Sequence, residues 1–319
     1  MTQFFAYVQH ANGEIEDTAA ELAAAAKKMG ADSVTAVVTG SGVDDVAGKA
    51  ADFFGEVYKI DNEALAYPDA EAVRKALVAV LPDDAVLLIS HSTFAMDMCP
   101  GLSVKKDAAY VADVTGIDGA DGSVLKIVRT ELGGNISTHV DVDLANGAVL
   151  TIRPGISEPE AGGAGGTVTD KSGDAGDLST KRKFIEVVAP EAGGVDITKA
   201  ELLVSIGRGI EDEDNIEIAM ELKEAFGANA EVSCSRPIVD AKWLEAARQV
   251  GTSGQTVKPN VYLAFGISGS FQHMGGIKGG TIIAINKNAN APIFQVADYG
   301  IEADILEFIP ALTEKLNGM

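Results

Sequence analysis

Residues 261–273 read VYLAFGISGSFQH, and this stretch decides the fold of the C-terminal half. Val261 to Phe265 is a short, near-continuous apolar run, as in a strand buried on both faces. Gly266-Ile267-Ser268-Gly269-Ser270 follows at once and should open a helix. Glycines let a backbone approach a ligand closely, and free N–H groups at a helix start suit a phosphate. The same stretch is not a nucleophile elbow. GxSxG would need glycine at position 270, which is Ser270, so serine hydrolase chemistry is disfavoured.

Outward from this strand, further runs alternate with helical patterns. Leu202 to Ile206, Glu231 to Ser233, Thr281 to Ile285 and Pro292 to Ala297 read as strands. A helix with Ile218, Leu222, Ala225 and Phe226 on one side separates the first two, and a last helix spans Ala303 to Leu316. This alternation predicts a Rossmann-like parallel α/β sheet over residues 191–319. In such sheets ligands bind beyond the carboxyl ends of the strands. The ends here carry Gly207-Arg208-Gly209, Ser235-Arg236-Pro237, the 266–270 loop and Asn286-Lys287-Asn288.

Arg208 and Arg236 stand out in a chain with 25 basic against 47 acidic residues. Such arginines are usually surface residues, but two at adjacent strand ends point to an anionic ligand. Residues 249–257, QVGTSGQTV, read either as a solvated turn or as a platform of hydroxyl and N–H groups. His273 gains interest only from its nearness to the glycine loop. The acidic run from Glu211 to Asp214 suits a helix N-terminus better than a metal.

The N-terminal half, residues 1–190, reads as a second α/β domain. Ser33 to Thr39 and Ala85 to Ser90 are buried-strand runs. Ala19, Leu22, Ala23, Ala26 and Met29 line one helical face, with Thr18 and Glu21 fitting a capping box and Gly30 a C-terminal cap. Asp69 to Leu81 is a helix stopped by Pro82. From about residue 108 the pattern turns to antiparallel hairpins, with Asp118-Gly119, Asp121-Gly122 and Asn146-Gly147 as turns. Residues 158–181, rich in Gly, Ser, Thr and Asp, read as a linker.

Composition bounds the function. The formal net charge of -22 argues against nucleic acid and anionic lipid as partners. Cys99 and Cys234 are the two cysteines, with no zinc spacing, so no metal is expected. No signal peptide and no apolar run of membrane-spanning length is evident, so the chain reads as cytoplasmic with no membrane insertion.

Three stretches in order carry a resemblance: SRPIVDAKWLEAARQVGTSGQTV (235–257), VYLAFGISGSFQHMGGI (261–277) and TIIAINKNANAPIFQVADYGIEADILEFIPALTEKL (281–316). Together they resemble the C-terminal domain of electron-transfer flavoprotein α subunits, and VSIGRGI (204–210) extends the likeness more loosely. The first half resembles the family in layout, in LLISHSTFAMDMCPGLSVKKD (87–107) and in VLTIRPG (149–155). There, Ala95 and Met96 replace the family's more usual Gly and basic residue.

The resemblance implies one FAD in this subunit, and AMP or a second FAD in a β subunit completing a heterodimer. It implies no catalytic residues, only an electron carrier serving dehydrogenases such as acyl-CoA dehydrogenases. Carried over by residue, Arg208 would contact the FAD, with Ser235 and Arg236 beside the flavin ring. Val250, Gly251, Thr252 and Ser253 would edge the ring, the Ser253 hydroxyl reaching N5. Ser268, Gly269, Ser270, Phe271, Gln272 and His273 would run from the pyrophosphate to the flavin C2 carbonyl. Asn286, Asp304 and Ile305 would meet the adenosine half. Thr252-Ser253 stands where Gln-Thr or Gln-Ser is usual, and Gln255 where Lys is common. Donors and cations near N1, C2=O and N5 would stabilise the negative charge of reduction. Two other readings stay open. One is an electron-bifurcating, NADH-dependent relative. The other is an NAD enzyme, which would want GxGxxG, although Gly207-Arg208-Gly209 lacks the third glycine.

Overall fold

The computed structural model describes residues 2–132, 136–159, 162–186 and 195–318. The chain divides into two compact units, Met1–Glu186 and Val187–Met319.

In the first unit the strands are β1 (Phe4–Tyr7), β2 (His10–Ala11), β3 (Glu14–Ile15), β4 (Val34–Gly40), β5 (Glu56–Asp61), β6 (Val86–Ser90), β7 (Ala109–Asp121), β8 (Val124–Glu131), β9 (Ile136–Asp143), β10 (Ala148–Ile152) and β11 (Thr167–Asp170). The helices are α1 (Thr18–Lys28), α2 (Asp44–Ala50), α3 (Ala70–Val80) and α4 (Thr93–Lys106). Nine strands form one sheet in the order β11-β5-β4-β1-β6-β10-β7-β8-β9. The pairs are parallel except β7 with β8 and β8 with β9, which make the antiparallel excursion.

Both expected helices form here. The α1 face of Ala19, Leu22, Ala23 and Ala26, with Met29 beyond it, is buried. Asp69 caps α3 by accepting from the N–H groups of Glu71 and Ala72 at 2.7 and 3.0 Å. Gly30 closes α1 at φ +87°, its N–H on the Lys27 carbonyl.

Four local expectations are corrected. The capping box does not form: Thr18 lies inside α1, and the Glu21 carboxylate instead accepts from the Gly155 N–H. Asp118-Gly119 is no turn but an irregularity within β7, where the register slips between Ile117 and Gly119 and Gly119 sits at φ +113°. Only Asp121-Gly122 turns the hairpin from β7 to β8. Asn146-Gly147 leads into β10, which pairs parallel with β6 and β7, not back onto β9. A Cβ on Gly147 would lie 2.3 Å from the Ala85 carbonyl oxygen, so glycine is required for that close entry. The stretch read as a linker is not free chain among its described residues. Thr167–Asp170 adds β11 to the sheet beside β5, and Ala175 and Leu178 are buried. Main-chain pairing holds these residues, which a composition reading weighs too little.

The second unit holds β12 (Leu202–Ile206), β13 (Ala230–Cys234), β14 (Val261–Phe265), β15 (Thr281–Asn286) and β16 (Tyr299–Glu302). Its helices are α5 (Ile216–Phe226), α6 (Arg236–Asp240), α7 (Phe271–Met274) and α8 (Ile305–Asn317). The sheet is wholly parallel, in the order β13-β12-β14-β15-β16. That is the doubly wound 2-1-3-4-5 order, whose switch point lies between β12 and β14. Residues 292–297 are not a strand. Pro292–Gln295 is a 3-10 turn, and the fifth strand begins at Tyr299. The Ile293 N–H donates to the Ser268 carbonyl at 3.0 Å, so this apolar run crosses to the glycine loop instead of extending the ladder.

The two faces of this sheet are covered differently. One packs Val204, Ile206, Leu263 and Phe265 against Leu222 of α5 and Ile305 and Ile309 of α8. The other packs Leu203, Tyr262, Ala264 and Ala284 against Val250, Val257, Ile267 and Ile293, which belong to loops. Segments bearing site residues thus form part of the core and are held by its burial.

Candidate functional site

The four strand ends of the second unit meet at one rim. Gly207 donates its N–H to the Phe265 carbonyl at 2.9 Å, and Gly209 to the Gly266 carbonyl at 3.1 Å. A Cβ on Gly207 would lie 2.5 Å from the Gly266 oxygen, and one on Gly209 2.6 Å from the Gly266 Cα. The two loops flanking the switch point therefore touch backbone to backbone, and only glycine permits it. Arg208 is exposed in the 3-10 turn between those glycines.

The 266–270 loop then crosses the rim. Gly269 has φ +81°, and a Cβ there would lie 2.3 Å from the Ile293 nitrogen. Among the described residues, no protein acceptor takes the backbone N–H of Ser268, Gly269, Ser270, Phe271 or Gln272. Ser268 and Ser270 are exposed beside them. α7 is only four residues long, so the expected helix-dipole contribution is small. The anion-binding capacity lies in the row of N–H groups itself.

The 249–255 loop lies against α7. Val250 donates to the Cys234 carbonyl at 2.9 Å, and Thr252 to the Gln272 carbonyl at 2.8 Å. A Cβ on Gly251 would meet the Gln272 oxygen at 3.0 Å. Thr252 and Ser253 are exposed, and the Ser253 Oγ accepts from the Gln249 side-chain amide at 3.0 Å. Ser235 is buried, its N–H on the Ile206 carbonyl. Arg236 reaches into solvent and pairs with Asp240 at 3.3 Å.

The remaining expected residues have largely structural partners. Asn286 donates to the Ile267 carbonyl at 3.0 Å and accepts from the Asn288 N–H at 2.9 Å. Asp304 caps α8 by accepting from the Leu306 N–H at 2.9 Å and pairs with Lys287. These two partners hold the Asp304 carboxyl below the usual range. The Ile305 side chain is 1% exposed and packs in the core, which leaves only its main chain for a ligand.

His273 is buried at 5% exposure. Its Nε2 is 2.8 Å from the Tyr262 hydroxyl, which donates to Ser205 at 2.6 Å. Among the described residues its Nδ1 has no well-formed hydrogen bond. Burial pushes this imidazole down to about 4, against a backbone interaction with Val250 that raises it. His273 is therefore neutral at pH 7 and not a cation. Burial also pushes the Cys234 thiol up to about 12, so it is inert as a nucleophile.

Four residues play roles that sequence reasoning did not assign. Gln249 holds Ser253, Tyr262 and Ser205 back His273, and Lys287 braces Glu211 to Asp304. Ser205 and Tyr262 were visible as polar residues in otherwise apolar strands, but nothing local connects them.

The rim therefore offers an anion cradle at a switch point with hydroxyl, guanidinium and imidazole groups around it. This defines a dinucleotide-binding protein of the doubly wound class. The chain belongs to the electron-transfer flavoprotein α-subunit family. The model for the electron transfer flavoprotein FAD-binding domain matches residues 196–278, and that for the electron transfer flavoprotein domain matches residues 5–190. The electron transfer flavoprotein subunit alpha of Methylophilus methylotrophus is 35% identical over 327 residues, covering 99% of each chain. That of Thermoanaerobacterium thermosaccharolyticum is 32% identical, covering 97% of this chain and 96% of its own. The mitochondrial subunit alpha of Arabidopsis thaliana is 32% identical, covering 97% of this chain and 88% of its own. Electron transfer with a flavin bound in the second unit is thus the family role of this chain.

Proposed function

We propose that this chain holds one FAD at the rim of its second sheet and works with a β subunit as a cytoplasmic electron carrier. It takes electrons from soluble dehydrogenases, acyl-CoA dehydrogenases among them, and passes them to a downstream acceptor. The β subunit carries a nucleotide of its own, AMP or, in the bifurcating type, a second FAD. Residues 1–190 and 191–319 act as separate domains, the first serving β-subunit contact. The observation that supports this reading is the row of uncommitted N–H groups from Ser268 to Gln272 in a chain of this family.

The residues present fit the cofactor. The N–H row and the Ser268 and Ser270 hydroxyls would hold the pyrophosphate. Arg208 would add positive charge where the chain is otherwise acidic. Thr252 and Ser253 would meet the ring edge with hydroxyls. Arg236 would supply a cation beside the ring, since its Asp240 pair is exposed and weak. Neutral His273, held by Tyr262, would stand on the ring carbonyl side without adding charge. The bound flavin supplies the redox chemistry. The protein holds it, orients it and sets its potential. No described helix is long and apolar enough to cross a membrane, and no described cluster of His, Cys, Asp or Glu is arranged for a metal.

The test is denaturing extraction of the purified α/β heterodimer with flavin quantified against protein. One FAD per heterodimer, lost in Arg208→Ala or Gly269→Val, supports the reading. Two FAD per heterodimer would turn it toward the bifurcating type. A flavin-free complex would refute it.

A further inference from the structure

Resting on the reading above, we infer that Gln249 is a positioning residue that fixes the polarity of the Ser253 hydroxyl, making it a hydrogen-bond donor toward the flavin ring edge. Gln249 is 7% exposed, and its side-chain amide donates to Ser253 Oγ at 3.0 Å. A serine hydroxyl has one proton and two acceptor lone pairs. With one lone pair occupied by the amide, the proton has to seek an acceptor elsewhere. Among the described residues the Ser253 hydroxyl donates to none, and the side chain is exposed on the rim.

The main chain of Gln249 holds this geometry as firmly as its side chain. Its N–H donates to the Ala246 carbonyl at 3.1 Å, and its carbonyl accepts from the Gln255 N–H at 2.7 Å. A Cβ on Gly254 would lie 2.4 Å from the Gln249 oxygen, so the loop folds tightly around this residue. Residue 249 also bridges to Cys234 at the end of β13. The amide is therefore anchored to the sheet, and Ser253, though on an exposed loop tip, inherits that anchoring.

A ring nitrogen that accepts in the oxidised state is served by a donor. An unheld hydroxyl divides its time between donor and acceptor arrangements. Removing the amide thus weakens the donor role without removing the hydroxyl. Gln249 acts only through Ser253, and this separates positioning from mere loop structure.

The experiment is a double-mutant cycle on the full α/β heterodimer, reading the midpoint potential and absorption spectrum of the bound flavin. Gln249→Met and Ser253→Ala should each shift the potential, and the double variant should match Ser253→Ala alone. Ser253→Thr, which keeps a hydroxyl, should keep the Gln249→Met shift. Additive shifts, or an unchanged potential in Gln249→Met at full flavin occupancy, overturn the inference. If Gln249→Met does not retain flavin, Gln249→Glu carries the test at the same size. Its carboxylate accepts the Ser253 proton, so its shift should be smaller in the Ser253→Ala background, and an equal shift in both backgrounds overturns the inference. Absence of flavin from the unsubstituted heterodimer overturns the reading beneath it, whereas flavin with additive shifts overturns this inference alone.

Discussion

The two units carry the same kind of sheet rim and cover it differently. In the first, the switch point lies between β1 and β6, and the polar side chains there pair within the unit. Tyr7 donates or accepts with Thr39 at 2.8 Å, His10 meets the Thr39 carbonyl at 2.8 Å, and Ser92 donates to Gln9 at 3.1 Å. Phe94, in the first turn of α4, stacks on Tyr7 with ring centroids 5.8 Å apart. Nearby, His91 meets Thr151 at 2.8 Å, and Arg153 grips Asp113 with two nitrogens. In the second unit the corresponding rim leaves five consecutive N–H groups without a protein acceptor among the described residues. A doubly wound sheet places a crevice at its switch point by topology, and the side chains packed over that crevice decide how much of it stays open to a ligand.

The comparison breaks most sharply at Gly269. Gly269→Val forces a side chain onto the Ile293 backbone at positive φ, which costs several kcal/mol, roughly 3 or more. Flavin occupancy by extraction should fall at least about tenfold, while Tyr7→Phe in the first unit should leave occupancy unchanged.

His273 gives the next effect. Its folded pKa, about 4, lies below the unfolded value near 6.5. Between those values the unfolded chain binds the proton and the folded one does not, so stability is lost as pH falls through that window. The full span is on the order of 3 kcal/mol. Denaturant unfolding from pH 7 to 4 should show this slope in the native chain and lose it in His273→Asn.

Asp113 gives a pH dependence of the same sign in the first unit, from a different cause. Burial raises its carboxyl, but the Arg153 hydrogen bond and the charges of Arg153 and its neighbours outweigh that and hold it below the usual range. Its contribution is present above the unfolded value near 3.9 and is lost as pH falls through the lower folded value. Arg153→Met should cost about 2 kcal/mol by denaturant unfolding at pH 7 and leave flavin content unaltered. The smallest stability effect should come from Arg236→Ala, within about 0.5 kcal/mol, since its ion pair is exposed. The same variant should nonetheless lower the first reduction potential of the flavin or its occupancy. An unchanged potential with full flavin would remove Arg236 from the ring.

Strands buried on both faces were legible from short apolar runs. β12 and β14 lie where their residues put them, because side-chain character alone demands burial there. The helices α3 and α8 were legible from periodicity, with Asp69 and Asp304 capping them through local hydrogen bonds. Residues 292–297 misled because an apolar run does not say whether its main chain pairs in a ladder or with the Ser268 carbonyl. Residues 167–170 misled because a polar edge strand is held by backbone bonds that composition does not register.

By itself the sequence determined the class of each half, the glycine loop and the family, since these rest on local pattern and on motif strings in order. Only the tertiary structure decided which glycines are obligatory and that His273 leans on Tyr262 and Ser205. The reason is physical: close backbone contacts and buried hydrogen bonds join residues far apart in the chain, and no local pattern encodes which distant atom will lie within 3 Å.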